Sequence, residues 1–532
     1  MLYFIPAWYQ QGTWNENEQY WYSRRTHTEF DDTVKQVQLF HRSGVYPYRI
    51  LLLSYTPNFR HFLHRQSVYH APYWSVFDGI QEIRRRKVRL LSFHDMKWPE
   101  HIEFIYTPFV VVAQLHGQKY AEIRFGEDGN PIEIDLYEDG QLCRRNTYDD
   151  RGFVSRTTVY EDNKEKYQDY LTETGIRKLR VYAEDGHVQI NPKAPGFLIE
   201  YQGTEECRQF SRMIYDSLEQ VIEEVLHAYI EHTAQEDLFC VAMHERHTGV
   251  LEEQLKNRKY ILSFFEDRFD LSKHIERKQM VESAGYVIAD SMINVNKIRE
   301  QVGEQLSNII DITPFDSRVD FGITQQLTVQ KILVPVDGME QETFMEVIRN
   351  LGSYLPENDK AEIHLFTRLA DYDRRDKLMR MTQEALEAAG FDPGWADSNR
   401  DAGAENTLDA LDEVPVRFFV EQCVDELSVS KCMREQRLIV DMRKTPELYL
   451  RITGLSVGIP QILIQESQFV EHGKNGLILQ SISRLGEALH FYLDGFHHWN
   501  EAMVQSYEMG QKYTTRVLLE KWKEVMKGVG CD

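Results

Sequence analysis

The chain has 532 residues, of which 42% are hydrophobic and 12% aromatic, enough for several packed cores and too apolar for a disordered tether. Its 61 basic and 84 acidic residues leave a formal charge of −23, which disfavours a general nucleic-acid binder because phosphate neutralisation needs a basic field. Six cysteines without CxxC spacing read as reduced thiols, and the longest apolar runs are too short to span a bilayer.

The opening Met1–Pro6 lacks a positive n-region and a cleavage site, so no signal peptide is expected. Leu2–Trp8 reads as a strand, followed by a turn rich in Gly12, Asn15 and Asn17. Phe30, Val34, Val37 and Phe40 then recur at helical spacing, with Asp31 and Asp32 in the first turn, until Gly44 stops the helix. Tyr48–Tyr55 follows as a buried strand. A βαβ start of this kind implies a parallel sheet. Ile102–Val112 is expected to supply one more strand.

The next segment changes rhythm. Phe125, Tyr137, Tyr148, Tyr160, Tyr170 and Tyr182 each precede an acidic turn, as in Glu138-Asp139-Gly140 and Glu184-Asp185-Gly186. Short strands separated by such turns predict an antiparallel meander of hairpins over residues 116–200. The α/β rhythm then returns: helix Phe210–Ile230, strand Asp237–Met243, strand Tyr260–Phe265, helix Ser272–Ala284 and strand Tyr286–Ser291. A second unit opens near Phe321, with strands at Lys331–Pro335, Glu362–Phe366, Val416–Glu421 and Leu438–Asp441. Asp392–Glu413 reads as an exposed loop, and the last thirty or so residues as an amphipathic helix. The predicted fold class is α/β: two Rossmann-like domains facing a cleft (1–115 with 201–320, and 321–500), the meander inserted in the first, and a C-terminal helix over 501–532.

Two Rossmann-like halves with a β-insertion resemble the GT-B glycosyltransferases, and the run Gly458-Ile459-Pro460 before a strand, with Asn475-Gly476-Leu477-Ile478 after it, is similar to the end of a GT-B nucleotide-sugar site. The N-terminal half narrows this. MLYFIPAWY at the start, EFDDTV at Glu29–Val34, YWSVFDGI at Tyr73–Ile80, FIYTPF at Phe104–Phe109 and YDDRGFVS at Tyr148–Ser155 resemble the first of the accessory secretory (Asp) proteins of the accessory Sec system, over the whole chain. That resemblance implies partners: sister accessory secretory proteins, the accessory SecA ATPase and a serine-rich repeat glycoprotein adhesin. It also implies a cytoplasmic location, peripheral at the inner face of the plasma membrane.

Retaining GT-B enzymes commonly carry two glutamates, the second seven residues before the Pro of Gly-x-Pro. Here those positions hold Thr445 and Thr453, with Glu447 two residues out of register and expected to point elsewhere. The window for an Arg/Lys diphosphate clamp, Asp337 to Glu342, contains Asp337, Glu340 and Glu342 and no cation, so a pyrophosphate would meet repulsion. Thr445, Thr453, Asp337, Glu340, Glu342, Gly458 and Pro460 therefore read as a degenerate donor site with no catalytic residue and no cofactor.

Other constellations are weighed against blander readings. Trp8, Tyr9, Trp14 and Trp21 suit a glycan- or peptide-stacking lip after the first strand, or simply a packed loop. Arg84, Arg85, Arg86, Lys87 and Arg89 are a candidate contact for anionic lipid, or a solvated surface. His61/His64 and His244/His247 have His-x-x-His spacing without a third ligand, and the adjacent His497 and His498 are expected to diverge, so no metal site is assigned. Neither a Gly-x-Ser-x-Gly nor a Gly-x-Gly-x-x-Gly motif is present. The expected function is a non-catalytic scaffold in adhesin export; the alternatives are a glycosyltransferase or a glycan-binding protein acting on the Ser/Thr-rich adhesin.

Overall fold

The computed structural model describes residues 1–10, 12–16, 28–303, 306–397 and 415–530. A seven-stranded parallel sheet forms the centre of the first half. In the order in which its strands occur along the chain it reads 3-2-1-4-5-6-7: Tyr73–Ser75, Tyr48–Leu52, Leu2–Ile5, Leu238–Ala242, Lys259–Phe264, Tyr286–Ala289 and Ile309–Asp311. The second half repeats the pattern with six parallel strands, 3-2-1-4-5-6: Phe418–Gln422, Ala361–Thr367, Gln330–Pro335, Gln436–Asp441, Gln461–Leu463 and Gly476–Ile478. Strands covered on both faces need unbroken apolar runs, which is why YRILL, LFCVA and KILVP read as they do.

Between the third and fourth strands of the first sheet lies a ten-stranded antiparallel sheet from Ile102 to Tyr215. The acidic turns close its hairpins by local chemistry. Asp139-Gly140 and Asp162-Asn163 are two-residue connections with both residues at positive φ (50° and 76°; 52° and 58°), the geometry that matches strand twist and suits Asp, Asn and Gly. The sheet is clamped to the first half through the YDDRGFVS segment. Arg151 donates to Asp78 at 2.7 Å, and Arg60 donates to Asp150 and, at 3.1 Å, to Asp149, all within a buried network.

Several expectations change. Ile102–Val112 is not one strand of the first half. Ile102–Tyr106 and Val110–Leu115 pair antiparallel around a turn in which the Thr107 hydroxyl accepts from the Phe109 and Val110 amides, so the inserted sheet starts before residue 116. The helix expected from Phe210 begins at Leu218; Ile214–Tyr215 pair instead with Val188–Gln189 as the last strand of the inserted sheet, while Ser211 is held by Glu224. Phe197–Gln209 contributes most of a separate hairpin, Gly196–Tyr201 with Thr204–Gln209. The helix expected over Ser272–Ala284 is a short 3-10 turn, Ile275–Arg277, followed by Lys278–Ser283.

The C-terminal segment is two helices, His497–Gly510 and Thr515–Gly528, broken at Thr514 where the backbone turns extended. The second returns to the first half: Leu518, Trp522, Val525 and Met526 join Leu2, Phe4 and Phe40 in one buried cluster, with the Trp522 ring edge-on to Phe40 at 5.2 Å. Most of Asp392–Glu413 lies outside the described residues.

Candidate functional site

In open α/β sheets the natural binding crevice lies outside the carboxyl ends of the strands, where strand order reverses. Here both sheets turn those ends toward a shared cleft. On the first half's side, Asp31 caps the helix Asp32–Ser43 by accepting from the Thr33 and Val34 amides. Arg268 donates to Asp31 at 3.2 Å and to Asp32 at 3.0 Å, and Asp32 also accepts from Ser263. Burial pushes the Asp31 carboxyl up to about 6, the neighbouring Asp32 charge adding to the rise and Arg268 opposing it. Burial likewise raises Asp290, which accepts from the Glu266 amide at 2.7 Å. Glu266 itself stands at the cleft mouth. Enclosure by the walls, then the Glu447 and Asp290 charges, push its carboxyl upward, and solvent reaching the residue moderates the rise.

On the second half's side the strand ends carry a chain of ion pairs. Asp337 accepts from the Thr367 hydroxyl at 2.6 Å, the Arg368 amide at 2.6 Å and the Arg374 guanidinium at 2.7 Å. Arg443 and Arg451 each donate to Asp441 at 2.8 Å, and Arg443 reaches the Asp337 carbonyl at 3.3 Å. Burial alone would raise the Asp441 carboxyl; the two guanidinium groups overcome it and hold it below the usual range. Arg368 forms a close ion pair with Glu447 and lies 3.3 Å above the Phe30 ring. Lys444 pairs with Glu340 at 2.6 Å.

Between these walls is a cavity of about 440 Å³, lined by Glu266, Asp290, Thr445, Glu447, Arg451 and Glu466 among others. Phe30 crosses to the second half and meets Tyr449 edge-on at 4.7 Å, and Tyr449 in turn meets Phe315 at 5.1 Å, so aromatic rings fill the floor between the halves.

The predicted donor-site residues divide. Thr445 lines this cavity, whereas Thr453 donates to the Tyr449 carbonyl at 2.8 Å and borders a separate cavity of about 700 Å³ with Lys35, Glu426 and Ser456. Glu447 does not point elsewhere: as the residue preceding helix Leu448–Val457 it faces the cleft and holds Arg368. The 337–342 window is acidic in sequence but not in space, because Arg374, opening helix Arg374–Ala388, donates to the Asp337 carboxylate and Arg443, just past strand Gln436–Asp441, donates to its carbonyl; Glu340 has Lys444, and Glu342 is exposed in the first turn of helix Gln341–Tyr354. Gly458 ends a helix at φ 74°, and a Cβ there would meet the Phe321 ring at 2.9 Å. The Pro460 carbonyl accepts from Ile439, and Asn475 is buried, bridging Phe469 and Glu471. These last residues shape a turn.

The aromatic lip is not at the surface. Trp8 donates to Asp31 at 2.9 Å and packs on Phe62, and Tyr9 is buried against Trp14 and hydrogen-bonded to His247; Trp21 lies outside the described residues. His247 gives its other nitrogen to the Ala242 carbonyl, and burial lowers it to about 3, so both ring nitrogens are committed and a metal finds no lone pair there. His61 is occupied by Glu127. His497 and His498 do not diverge: both reach Glu501, at 3.5 Å and 3.4 Å, because the helix turns the three toward one exposed patch. The basic run is largely answered by carboxylates. Arg84 pairs with Glu205 at 2.9 Å, Arg86 with Glu200 at 3.1 Å and Arg85 with Glu173 at 3.8 Å. Arg89 packs against Gly152.

Sequence reasoning missed Arg368, Arg374 and Arg443. The signal available was position: Arg368 and Arg443 stand just past the carboxyl end of a predicted parallel strand, where crevice residues come from, whereas Arg374 opens the following helix. Among the described residues no helix is long and apolar enough to cross a membrane.

Residues 1–529 match the family model of the first Accessory Sec system protein of the Asp series. The chain is 34% identical over 537 residues to that protein of Streptococcus gordonii, covering 99% of both. It superposes with a TM-score of 0.80 at 28% identity on a chain from the crystal structure of accessory secretory proteins 1, 2 and 3 of Streptococcus pneumoniae, covering 99% of each. The pneumococcal O-GlcNAc transferase GtfA, solved with UDP and GlcNAc, matches over all of this chain and 99% of its own, with a TM-score of 0.68 at 12% identity, which shows the shared GT-B-like fold alone.

Proposed function

The chain belongs to the family of the first Accessory Sec system protein of the Asp series, and from that premise we propose that it is a non-catalytic GT-B-like scaffold of the adhesin-export complex. In this reading it assembles with sister accessory secretory proteins, serves the accessory SecA motor and helps deliver a serine-rich repeat glycoprotein. The observation that carries the non-catalytic part is the ion-pair chain of the second half. A nucleotide diphosphate needs free cations at the strand ends, and here Arg368, Arg374, Arg443 and Arg451 are each committed to a carboxylate of the chain itself. To bind, a donor would have to displace Asp337, Asp441 or Glu447 and then sit beside it. Thr445 and Thr453 offer no carboxylate and border different cavities.

The assembly part is supported by the pneumococcal structure, a crystal structure of accessory secretory proteins 1, 2 and 3 together. The inserted sheet offers a surface for such contact: its edge hairpin leaves Ile105 and Tyr106 exposed, beside a strand edge unpaired among the described residues. Thermal unfolding of the full chain with UDP, UDP-glucose and UDP-GlcNAc tests the non-catalytic part. No stabilisation is expected, whereas a ligand at 100-fold over its Kd would add about 2.7 kcal/mol, and a shift of that kind would return the chain to the transferase class. Co-purification with its sister proteins tests the scaffold part; a chain that purifies alone from cells expressing them would overturn it.

A further inference from the structure

The inserted sheet and the cleft leave unexplained a polar stripe on one face of the second half's sheet. Parallel register places Lys331, Glu362 and His364 on the same face as Glu421 and Cys423 of the edge strand and its exit. Helix Glu426–Glu435 covers that face and adds Cys432 and Glu435. Beside the apolar cluster of Leu333, Phe366, Val429 and Met433, His364 and Cys423 are buried, while the carboxylates of Glu362, Glu421 and Glu435 remain partly open to solvent.

Three of these groups converge. One carboxylate oxygen of Glu421 and the sulfurs of Cys423 and Cys432 all lie within 4.8 Å of one another. A tetrahedral zinc ion with Zn–S of about 2.3 Å and Zn–O of about 2.1 Å holds such donors roughly 3.5–3.8 Å apart, so the site closes on an ion with side-chain movements of about 1 Å. The surroundings are those of a metal centre. His364 donates through Nδ1 to Glu421 at 2.8 Å and meets the Glu362 carboxylate through Nε2 at 3.3 Å, which occupies both its nitrogens and fixes the Glu421 carboxylate. The Gln436 amide NH₂ donates to the Cys432 carbonyl at 3.1 Å and also lies 3.6 Å from the Cys432 sulfur, within reach of a thiolate, while its carbonyl oxygen is buried without a partner among the described residues. Cys423 is buried, and Glu421 remains one-third exposed, which leaves an entry path and room for a water.

We propose that Glu421, Cys423 and Cys432 bind one zinc-type divalent cation, both thiols losing their protons to solvent and ligating as thiolates, Glu421 ligating through one oxygen and water taking the fourth position. The strand supplies Glu421 and Cys423 at i and i+2, and the following helix returns Cys432 over them. This differs from CxxC spacing, so a search for that spacing passes over it. Lys331, paired with Glu435 at 2.7 Å, stands nearby and offsets part of the ligands' negative charge.

The test uses the reduced full-length chain, stripped with chelator and titrated with Zn²⁺ against a competing indicator and, separately, with Co²⁺. The expected result is one tight equivalent, with a thiolate-to-cobalt charge-transfer band that Zn²⁺ abolishes. Cys423→Ser and Cys432→Ser should each lower affinity at least tenfold and weaken the band; Glu421→Gln should lower affinity several-fold and leave the band. His497→Ala with His498→Ala, which removes the exposed patch at Glu501, should leave both unchanged. Absence of the band in the wild-type chain overturns the proposal even if the cysteine variants fail to fold. Zn²⁺ binding that survives both serine substitutions and disappears with the two histidines overturns it as well.

Discussion

The two halves share a strand order and differ in how they neutralise the crevice that order creates. In the first half, carboxylates outnumber the cations that reach them: Arg268 serves both Asp31 and Asp32, and burial leaves Asp31 and Asp290 with raised affinities for protons. In the second, Asp441 takes two guanidinium groups and is held ionised. The same fold thus carries one crevice that welcomes a proton and one that refuses it. A binding site inherited from topology is neutral to chemistry until side chains at the strand ends decide it.

The largest effect should come from breaking the better-balanced crevice. Asp441→Asn leaves Arg443 and Arg451 buried and short of a counter-charge, and a loss of about 3–5 kcal/mol in chemical denaturation is expected. Asp32→Asn should cost less, about 1–2 kcal/mol, because Arg268 retains Asp31 and the new amide can still accept from it. Equal losses would erase the contrast.

A smaller effect sharpens it through pH. Asp31 binds its proton more tightly folded than unfolded, so between about pH 4 and pH 6 the native state holds more protons and stability falls as pH rises. Asparagine is an equally good helix cap and carries no charge. Asp31→Asn should therefore match the wild-type chain near pH 4 and exceed it by about 1–3 kcal/mol at pH 7. Asp441 runs in the opposite sense: its lowered pKa gives stability that is present above about pH 4 and lost as pH falls through the folded value.

The inserted sheet was the most legible part of the sequence, because each hairpin turn is decided by two to four neighbouring residues such as Asp139-Gly140. The parallel strands were legible for the same local reason. What escaped reading was whatever depends on a distant partner. An apolar run such as Ile102–Val112 serves one buried strand or one hairpin equally well, and only the antiparallel pairing of Tyr106 with Val111 decides it. The aromatic residues Trp8 and Tyr9 invite a surface reading until Asp31 and His247 are seen to hold them. The donor-site substitutions at Thr445 and Thr453 could be counted, but not the arginines that Asp337 and Asp441 gather from the loops and helices after the strands.

Arg84 and Arg86 make the point most simply, since their glutamate partners lie 121 and 114 residues later. The smallest expected effect follows. Arg84→Glu with Arg85→Glu and Arg86→Glu should change flotation with anionic vesicles at physiological salt by less than about twofold, because cations already paired with carboxylates give the wild-type chain little binding to lose. A large salt-sensitive loss would restore the lipid reading for this loop.

The return of helix Thr515–Gly528 to the first half also orders events in time. The strand Leu2–Ile5 is made long before the Trp522 ring that closes on Phe4. At roughly 5–20 residues per second, synthesis keeps that apolar face waiting for tens of seconds while the inserted sheet and the second half emerge. The first half cannot be sealed before the second has been made, so the nascent chain exposes part of an unfinished core throughout, and a chaperone would find its natural foothold there.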